Sequence, residues 1–440
     1  MKRALKTAAY VLPLLLLIGC ATTSSNIDKG LAGNKHGAVT FTQISEGLPT
    51  EGLWRQEIAL HDMNGDGFPD IIAAPPRKAE AGEAGKNRPY IFLWDQKDGK
   101  WKEGNYTFQA KGFSYGGIAV GDLNKDGYPD LVLAVHAGPL MVLENDKKGG
   151  FVESPFQPKE PFYSRTVDIA DMNGDGWPDI VSFSEAGFVQ GYKSAGILIA
   201  INKEGKGWDI NTVKESSGID GDSMAIGDFK GNGHKDVAIA PITGIKELKK
   251  LVWFGDGKGN FKNYEGDLVG DMVTTSVAAG DVDGDGKDEI VYRVQQVGSA
   301  GKAKLIAFRW TGEGFAEISD GLDAADKPAV FDLVDAFGDG KKELVVLQQD
   351  GLGLYRYAAG KWEKMGFHKL EAAETDGAFD LKAARELRQR EKIMGTTMDA
   401  RRDLRIRYVD PKPEGERPGL IALAEYKREL GLPPETEAKE

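Results

Sequence analysis

The chain has 440 residues, 41% of them hydrophobic, which suffices for a large core, and one cysteine, which excludes an intrachain disulfide. Its 56 basic and 68 acidic residues give a formal net charge of −12. Nothing in that balance favours nucleic acid, whose phosphates require a basic patch or stripe.

Residues 1–19 combine Lys2, Arg3 and Lys6 with a short apolar run. The run is too short to span a bilayer comfortably and reads as a secretory signal. It ends in Leu17-Ile18-Gly19-Cys20, which resembles the bacterial lipobox. That resemblance implies cleavage before Cys20 and lipid attachment to it, and Ala21 in place of Asp is similar to outer-membrane lipoproteins. Acyl chains contribute about 0.8 kcal/mol per buried CH₂, so several of them would hold the chain durably to a membrane. The expected location is the bacterial cell envelope, lipid-anchored at the outer membrane. Residues 20–37 are the lipidated cysteine and a small, polar, flexible tether.

From 38 to 368 the chain repeats itself. The stretch HDMNGDGFPD, residues 61–70, places oxygens at Asp62, Asn64, Asp66 and Asp70, with Gly67 at the sixth position counted from Asp62. Alternating oxygens around a sharp turn suit Ca²⁺, yet the twelfth position, where an EF-hand needs a bidentate Glu, is Ala73. The flanks EIAL and DIIAA are of strand length, so the loop connects a β-hairpin. The stretch returns as DLNKDGYPD from Asp122, DMNGDGWPD from Asp171, DFKGNGHKD from Asp228, DVDGDGKDE from Asp281 and DAFGDGKKE from Asp335. Each copy keeps a sixth-position glycine, where positive φ costs least, and each precedes an apolar run.

A second repeat runs out of phase with the first. Trp101, Phe151, Trp208, Phe261, Phe315 and Trp362 follow glycine-containing turns, and the first five precede the next loop aspartate by 21, 20, 20, 20 and 20 residues. Phe41 lies 21 residues before Asp62, at an aromatic's place but with no earlier strands of its unit. RIRYVD and GLIALAEY, within residues 404–426, read as the first two strands of a last unit that the N-terminal strand completes. Such closure removes exposed sheet edges. Between Trp362 and Asp410 stand 48 residues, so 369–403 is an insertion. It is rich in helix formers, with a stripe at Phe379, Leu381, Ala384, Leu387 and Met394, and is expected to be a helix packed locally. Residues 427–440 are expected to fray.

These recurring loops resemble FG-GAP or VCBS repeats, the blade unit of integrin-α-like β-propellers and of many bacterial extracellular proteins. The resemblance implies an all-β fold: a seven-bladed β-propeller of four-stranded blades, its last blade incomplete and closed by the N-terminal strand, with the helical insertion before it. It also implies Ca²⁺ in the hairpins between first and second strands. Carried over residue by residue, the ligands are Asp62, Asn64, Asp66 and Asp70; Asp122, Asn124, Asp126 and Asp130; Asp171, Asn173, Asp175 and Asp179; and Asp281, Asp283, Asp285 and Glu289. The seventh positions, Phe68, Tyr128, Trp177 and Lys287, supply backbone carbonyls. Lys230 and Asn232 weaken the fourth loop, and Phe337 removes a ligand from the sixth, so about four ions are expected. Their expected role is to staple the hairpins by relieving carboxylate repulsion.

In a four-stranded meander the first and third hairpins share one face, and the second connections and interblade links share the other. The long connections 75–89, 185–195 and 241–250 fall on that second face, where recognition concentrates. It offers Tyr115, Phe162, Tyr163 and Arg165 on the links and Phe188 and Tyr192 on longer loops as candidate ligand-binding residues. The expected function is a membrane-anchored binder of a protein or glycan, with oligomeric state left open. The alternatives are a polysaccharide-acting enzyme such as a calcium-dependent lyase, or an envelope-complex scaffold. GDSMA at 221–225 resembles the start of some serine esterases, but Ser223 stands five residues before its loop aspartate, as Ser276 does, and belongs to a first strand. The five histidines show no metal-ligand spacing, and no catalytic residue is assigned.

Overall fold

The computed structural model describes residues 39, 41–49, 58–76, 87–136, 138–159, 163–184, 196–241, 249–296, 303–325, 328, 330–348 and 351–369, together with the backbone of Asp403–Asp410 and Ile421–Lys427. The signal segment, Cys20, the tether and the tail lie outside the described residues.

The fold is an all-β propeller of six blades, each an antiparallel meander. Blade one comprises Ile58–His61, Asp70–Ala73, Tyr90–Asp95 and Lys100–Glu103. Blade two comprises Gly116–Gly121, Asp130–Val135, Leu140–Asn145 and Gly150–Glu153, and Thr107–Gln109 pairs parallel with its last strand. Blade three runs through Ser164–Ala170, Asp179–Ser184, Ile197–Asn202 and Trp208–Thr212, and blade four through Gly221–Gly227, Asp236–Pro241, Val252–Gly255 and Phe261–Asn263. Blade five holds Met272–Gly280, Glu289–Gln296, Lys304–Trp310 and Phe315–Glu317; blade six holds Val330–Val334, Glu343–Leu347, Gly351–Ala358 and Lys361–Lys369. First strands of successive blades lie side by side and set the radial order.

The second strands read as unbroken apolar runs because a neighbouring blade covers each face. Every residue of Asp130–Val135, Asp179–Ser184, Asp236–Pro241 and Glu343–Leu347 is buried. Core clusters lie between blades: Ile72 and Ile91 of blade one pack with Ile118, Leu131 and Leu143 of blade two. Burying such surface stabilises by roughly 25 cal/mol per Å² of apolar area.

The N-terminal segment does bridge the ends of the ring. Phe41 packs with Phe337, Leu354 and Met365 of blade six, while Ile44 and Leu48 pack with Phe92 and Trp101 of blade one. Trp101 donates from Nε1 to the Ile44 carbonyl (2.8 Å) and from its backbone N–H to the Glu46 carbonyl (2.9 Å). Gly47 sits at φ +89°, and a Cβ there would stand 2.0 Å from the Trp101 carbonyl oxygen. The link from blade five to blade six repeats this joint: Trp362 bonds to the carbonyls of Ile318 (2.9 Å) and Asp320 (2.7 Å), beside Gly321 at φ +90°. ISEGL at 44–48 and ISDGL at 318–322 are thus one structural unit used twice.

The expected seventh blade is corrected. Beside the six blades stands a three-stranded sheet in the order Thr42–Gln43, Asp403–Asp410, Ile421–Lys427. Thr42 pairs with Asp410, so the N-terminal strand meets RIRYVD and not GLIALAEY. The strand lying against Val330–Val334 of blade six is Ile421–Lys427. The reason is the missing strand: two C-terminal strands plus a two-residue N-terminal one make three, and no fourth is present among the described residues. The helical insertion expected over 369–403 is not supported either. Blade six runs to Lys369, a strand begins at Asp403, and residues 370–402 lie outside the described residues. The helices among the described residues are the short 3-10 turns Lys214–Ser216 and Leu322–Ala324.

Candidate metal centre

All six aspartate loops share one backbone frame. The first aspartate accepts the N–H of the sixth-position glycine: Asp62 from Gly67 (2.8 Å), Asp122 from Gly127 (2.8 Å), Asp171 from Gly176 (2.7 Å), Asp228 from Gly233 (2.6 Å), Asp281 from Gly286 (2.9 Å) and Asp335 from Gly340 (3.0 Å). These glycines hold φ between +82° and +88°, which a side chain would strain.

The ninth-position acids, Asp70, Asp130, Asp179, Asp236, Glu289 and Glu343, are fully buried. One oxygen of each accepts the N–H of the residue following the first aspartate, as Asp70 does from Met63 (2.9 Å) and Glu289 from Val282 (3.0 Å). In blades one to four the other oxygen accepts an N–H of the third strand: from Trp94 (2.9 Å), Asn145 (2.9 Å), Asn202 (2.8 Å) and Gly255 (2.8 Å). Burial pushes Asp70 and Asp179 up to about 6, Asp130 and Asp236 to about 7, Glu289 to about 7 and Glu343 to about 8. Neighbouring loop carboxylates add to the rise and the backbone N–H bonds oppose it. Burial thus favours the neutral form of each of these acids, and a nearby cation would favour the ionised one.

In blades one to three the expected ligands at positions three and five are held by one set of turn bonds, which Asp283 and Asp285 of blade five also make. Asn64 Oδ1 accepts from Asp66 N–H (2.9 Å), and Asp66 Oδ1 accepts from Phe68 N–H (2.9 Å). Asn124 and Asp126 do the same for Asp126 and Tyr128 (both 3.0 Å), as do Asn173 and Asp175 for Asp175 and Trp177 (3.0 and 2.8 Å). Each of these oxygens keeps a second lone pair. An all-oxygen set around a turn fits a hard divalent cation. The seventh side chains diverge: Phe68 is buried in blade one's core, Tyr128 is exposed, and Lys125 Nζ lies 4.3 Å from the Trp177 ring centroid. Lys147, from the third hairpin of blade two, stands 3.1 Å from Asp126, which puts first and third hairpins on one face as expected.

Blades four to six differ at one pair of positions. Strand register places Leu93, Glu144, Ile201, Phe254, Arg309 and Arg356 at equivalent points of the third strand, each one residue past the partner of the first residue after the ninth-position acid. In blades four to six that point contacts loop position three. Lys230 Nζ stands 3.6 Å from the Phe254 ring centroid in blade four. In blade five Arg309 pairs with Asp283 and donates from Nε to Glu289 (3.0 Å). In blade six Arg356 lies over the Phe337 ring at 5.1 Å, pairs with Asp339, and stands 3.3 Å from Glu343 Oε1. Asp281, Asp283 and Asp285 do bring carboxylate oxygens within 4.8 Å of one another. Lys287 Nζ donates to Asp285 (2.8 Å), as Lys147 stands beside Asp126 in blade two, so what sets this fifth loop apart from the first three is Arg309 on Asp283. Sequence reasoning missed Arg309 and Arg356; the one signal they share in the sequence is a place six residues before their blade's aromatic, Phe315 or Trp362.

On the opposite face, Tyr115 and Arg165 belong to a buried cluster. Tyr115 stacks on His136 at 4.2 Å, and Arg165 donates to Asp222 (2.9 Å) and lies 3.3 Å from His136 Nδ1. Register shifts fall at Arg165, Asp222 and Thr275 in three successive first strands, bulges that re-aim these side chains. Tyr163 is half-buried. Phe162, Phe188 and Tyr192, with most of the long connections, lie outside the described residues.

The profile of the FG-GAP-like repeat matches residues 62–133 and 122–182, and that of the FG-GAP repeat matches 273–306. Integrin alpha-6 of Gallus gallus is 30% identical over 101 residues, 22% of this chain and 9% of that protein, so the chain matches less than a tenth of its relative. Among solved structures, an Agrocybe aegerita lectin that recognises non-reducing terminal N-acetylglucosamine has a TM-score of 0.42 at 15% identity, covering 74% of this chain and 82% of that chain. BBS1N in complex with ARL6DN has a TM-score of 0.44 at 10% identity, covering 90% of this chain and 100% of that chain. At such scores neither likeness bears on function.

Proposed function

We propose that this integrin-like FG-GAP repeat protein is a calcium-stapled binding protein that presents a protein or glycan site on the face opposite its aspartate loops. The observation that carries the calcium reading is the shared turn of the first three loops, which fixes side-chain oxygens at positions one, three and five beside carboxylates with no arginine partner among the described contacts, Lys147 at Asp126 being the one lysine. Asp62, Asn64, Asp66 and the Phe68 carbonyl would hold the ion in blade one, with Asp70 beneath; the equivalent residues from Asp122 and Asp171 onward would do so in blades two and three. The ion supplies positive charge that keeps these acids ionised at neutral pH. The chain's own part is to hold the oxygens in place through glycine turns and to tie each loop to the third strand.

A frame so fixed supports recognition by the opposite loops, and the integrin alpha-6 likeness agrees with a binding role. The lipobox-like LIGC supports anchoring through Cys20 at the cell envelope. The test pairs chelation with ligand capture. Calcium should raise the melting temperature of chelator-treated protein, and a glycan array or envelope pull-down should yield a retained ligand that survives unchanged. New unsaturated ends on a polysaccharide panel would replace binding with lyase chemistry. Unfolding insensitive to chelator and calcium would end the calcium reading.

A further inference from the structure

We propose that Arg309 and Arg356 are resident cations that take a metal ion's place in blades five and six, confining divalent-ion sites to blades one to three. The proposal rests on the calcium reading of the first three loops.

Three observations converge on it. First, these arginines occupy the same third-strand point, where blades one to four carry Leu93, Glu144, Ile201 and Phe254. Second, glutamate replaces aspartate at the ninth position only where the arginine is present, as Glu289 and Glu343. The longer acid keeps its bond beneath the loop, to Val282 N–H (3.0 Å) or Ala336 N–H (2.9 Å), and turns its other oxygen to the guanidinium instead of a third-strand N–H. Third, loop position three changes in step: Asp283 pairs with Arg309, and Phe337 underlies Arg356. Blade four shows the reciprocal exchange, with the cation Lys230 at position three and the aromatic Phe254 on the third strand. A guanidinium forks between two carboxylates as a divalent ion does, without depending on calcium concentration.

The test is native mass spectrometry of the chain in calcium-containing buffer. Wild type should carry one ion for each of the first three loops; Asp171→Asn should lose one. Arg309→Gln should gain one, and Arg309→Lys, which retains a cation, should gain none. Because Arg309→Gln is also expected to lower the melting temperature in chelator, recovery of that loss by calcium reports the new site independently. A fourth ion in wild type that Asp281→Asn removes, with no gain in Arg309→Gln, would overturn the proposal. No bound ion in any variant would overturn the calcium reading, and the proposal with it.

Discussion

The first three aspartate loops and the last three are built on the same backbone and differ in the groups set against their charge. Asp62 and Asp335 make the same bond to a left-handed glycine, and Asp70 and Glu343 are equally buried. Besides the ninth-position acid, what differs is one pair of positions: Asn64, Asn124 and Asn173 go with Leu93, Glu144 and Ile201, whereas Lys230, Asp283 and Phe337 contact Phe254, Arg309 and Arg356. A repeated loop is thus a frame for charge, and on the proposal above its neighbour on the third strand decides whether that charge needs an external ion.

The largest expected effect comes from removing calcium. At tenfold excess over Kd each site contributes about 1.4 kcal/mol, so emptying three lowers stability by roughly 4 kcal/mol and the melting temperature by on the order of 10 °C. Differential scanning calorimetry with and without chelator measures it. Next, Arg356→Met leaves Glu343 buried without its ion pair and should cost about 3 kcal/mol. That loss should be the same with and without calcium in denaturant titrations, because Phe337 denies the sixth loop a third-position ligand. If calcium restored the variant, the division between the two halves would blur.

The pH dependence sharpens the same contrast. Asp70, Asp130 and Asp179 have folded values of about 6, 7 and 6 against an unfolded 3.8, so the folded chain holds protons that the unfolded chain has released. Without calcium their contribution is most favourable below the unfolded value and is lost as pH rises through the folded one, roughly 2–3 kcal/mol per group across pH 4 to 7. Calcium should abolish this decline for the first three loops and leave the part due to Asp236, Glu289 and Glu343, measured as the change in denaturant midpoint between pH 5 and 7.5. The smallest effect concerns closure. Gly47→Ala forces a Cβ against the Trp101 carbonyl at φ +89° and should cost about 1–3 kcal/mol, independent of calcium.

The loops were legible because their signal is local: oxygens two residues apart and a glycine at a fixed offset survive in a one-dimensional reading. Phe41 was legible for the same reason, as its 21-residue spacing matches the role it plays beside blade six. Arg309 and Arg356 were not, since their meaning lies in a partner across two strands, and only the register joins them to Glu289 and Glu343. Phe337 was read as a lost ligand, although it is one half of an aromatic–guanidinium pair. Tyr115 lies in an interblade link as its phase requires, whereas Arg165, read as a link residue, falls at a bulge in the first strand of blade three, and the neighbours His136 and Asp222 bury the pair. The last sheet failed for a further reason: periodicity marks where strands begin, and it does not say which edge a two-residue strand will join.

The most direct test of this division is anomalous scattering from crystals grown with terbium, a calcium mimic. The account predicts ion peaks within residues 62–70, 122–130 and 171–179 and none within 228–236, 281–289 or 335–343. A peak between Asp281 and Asp285, or bare turns in blades one to three, would contradict it.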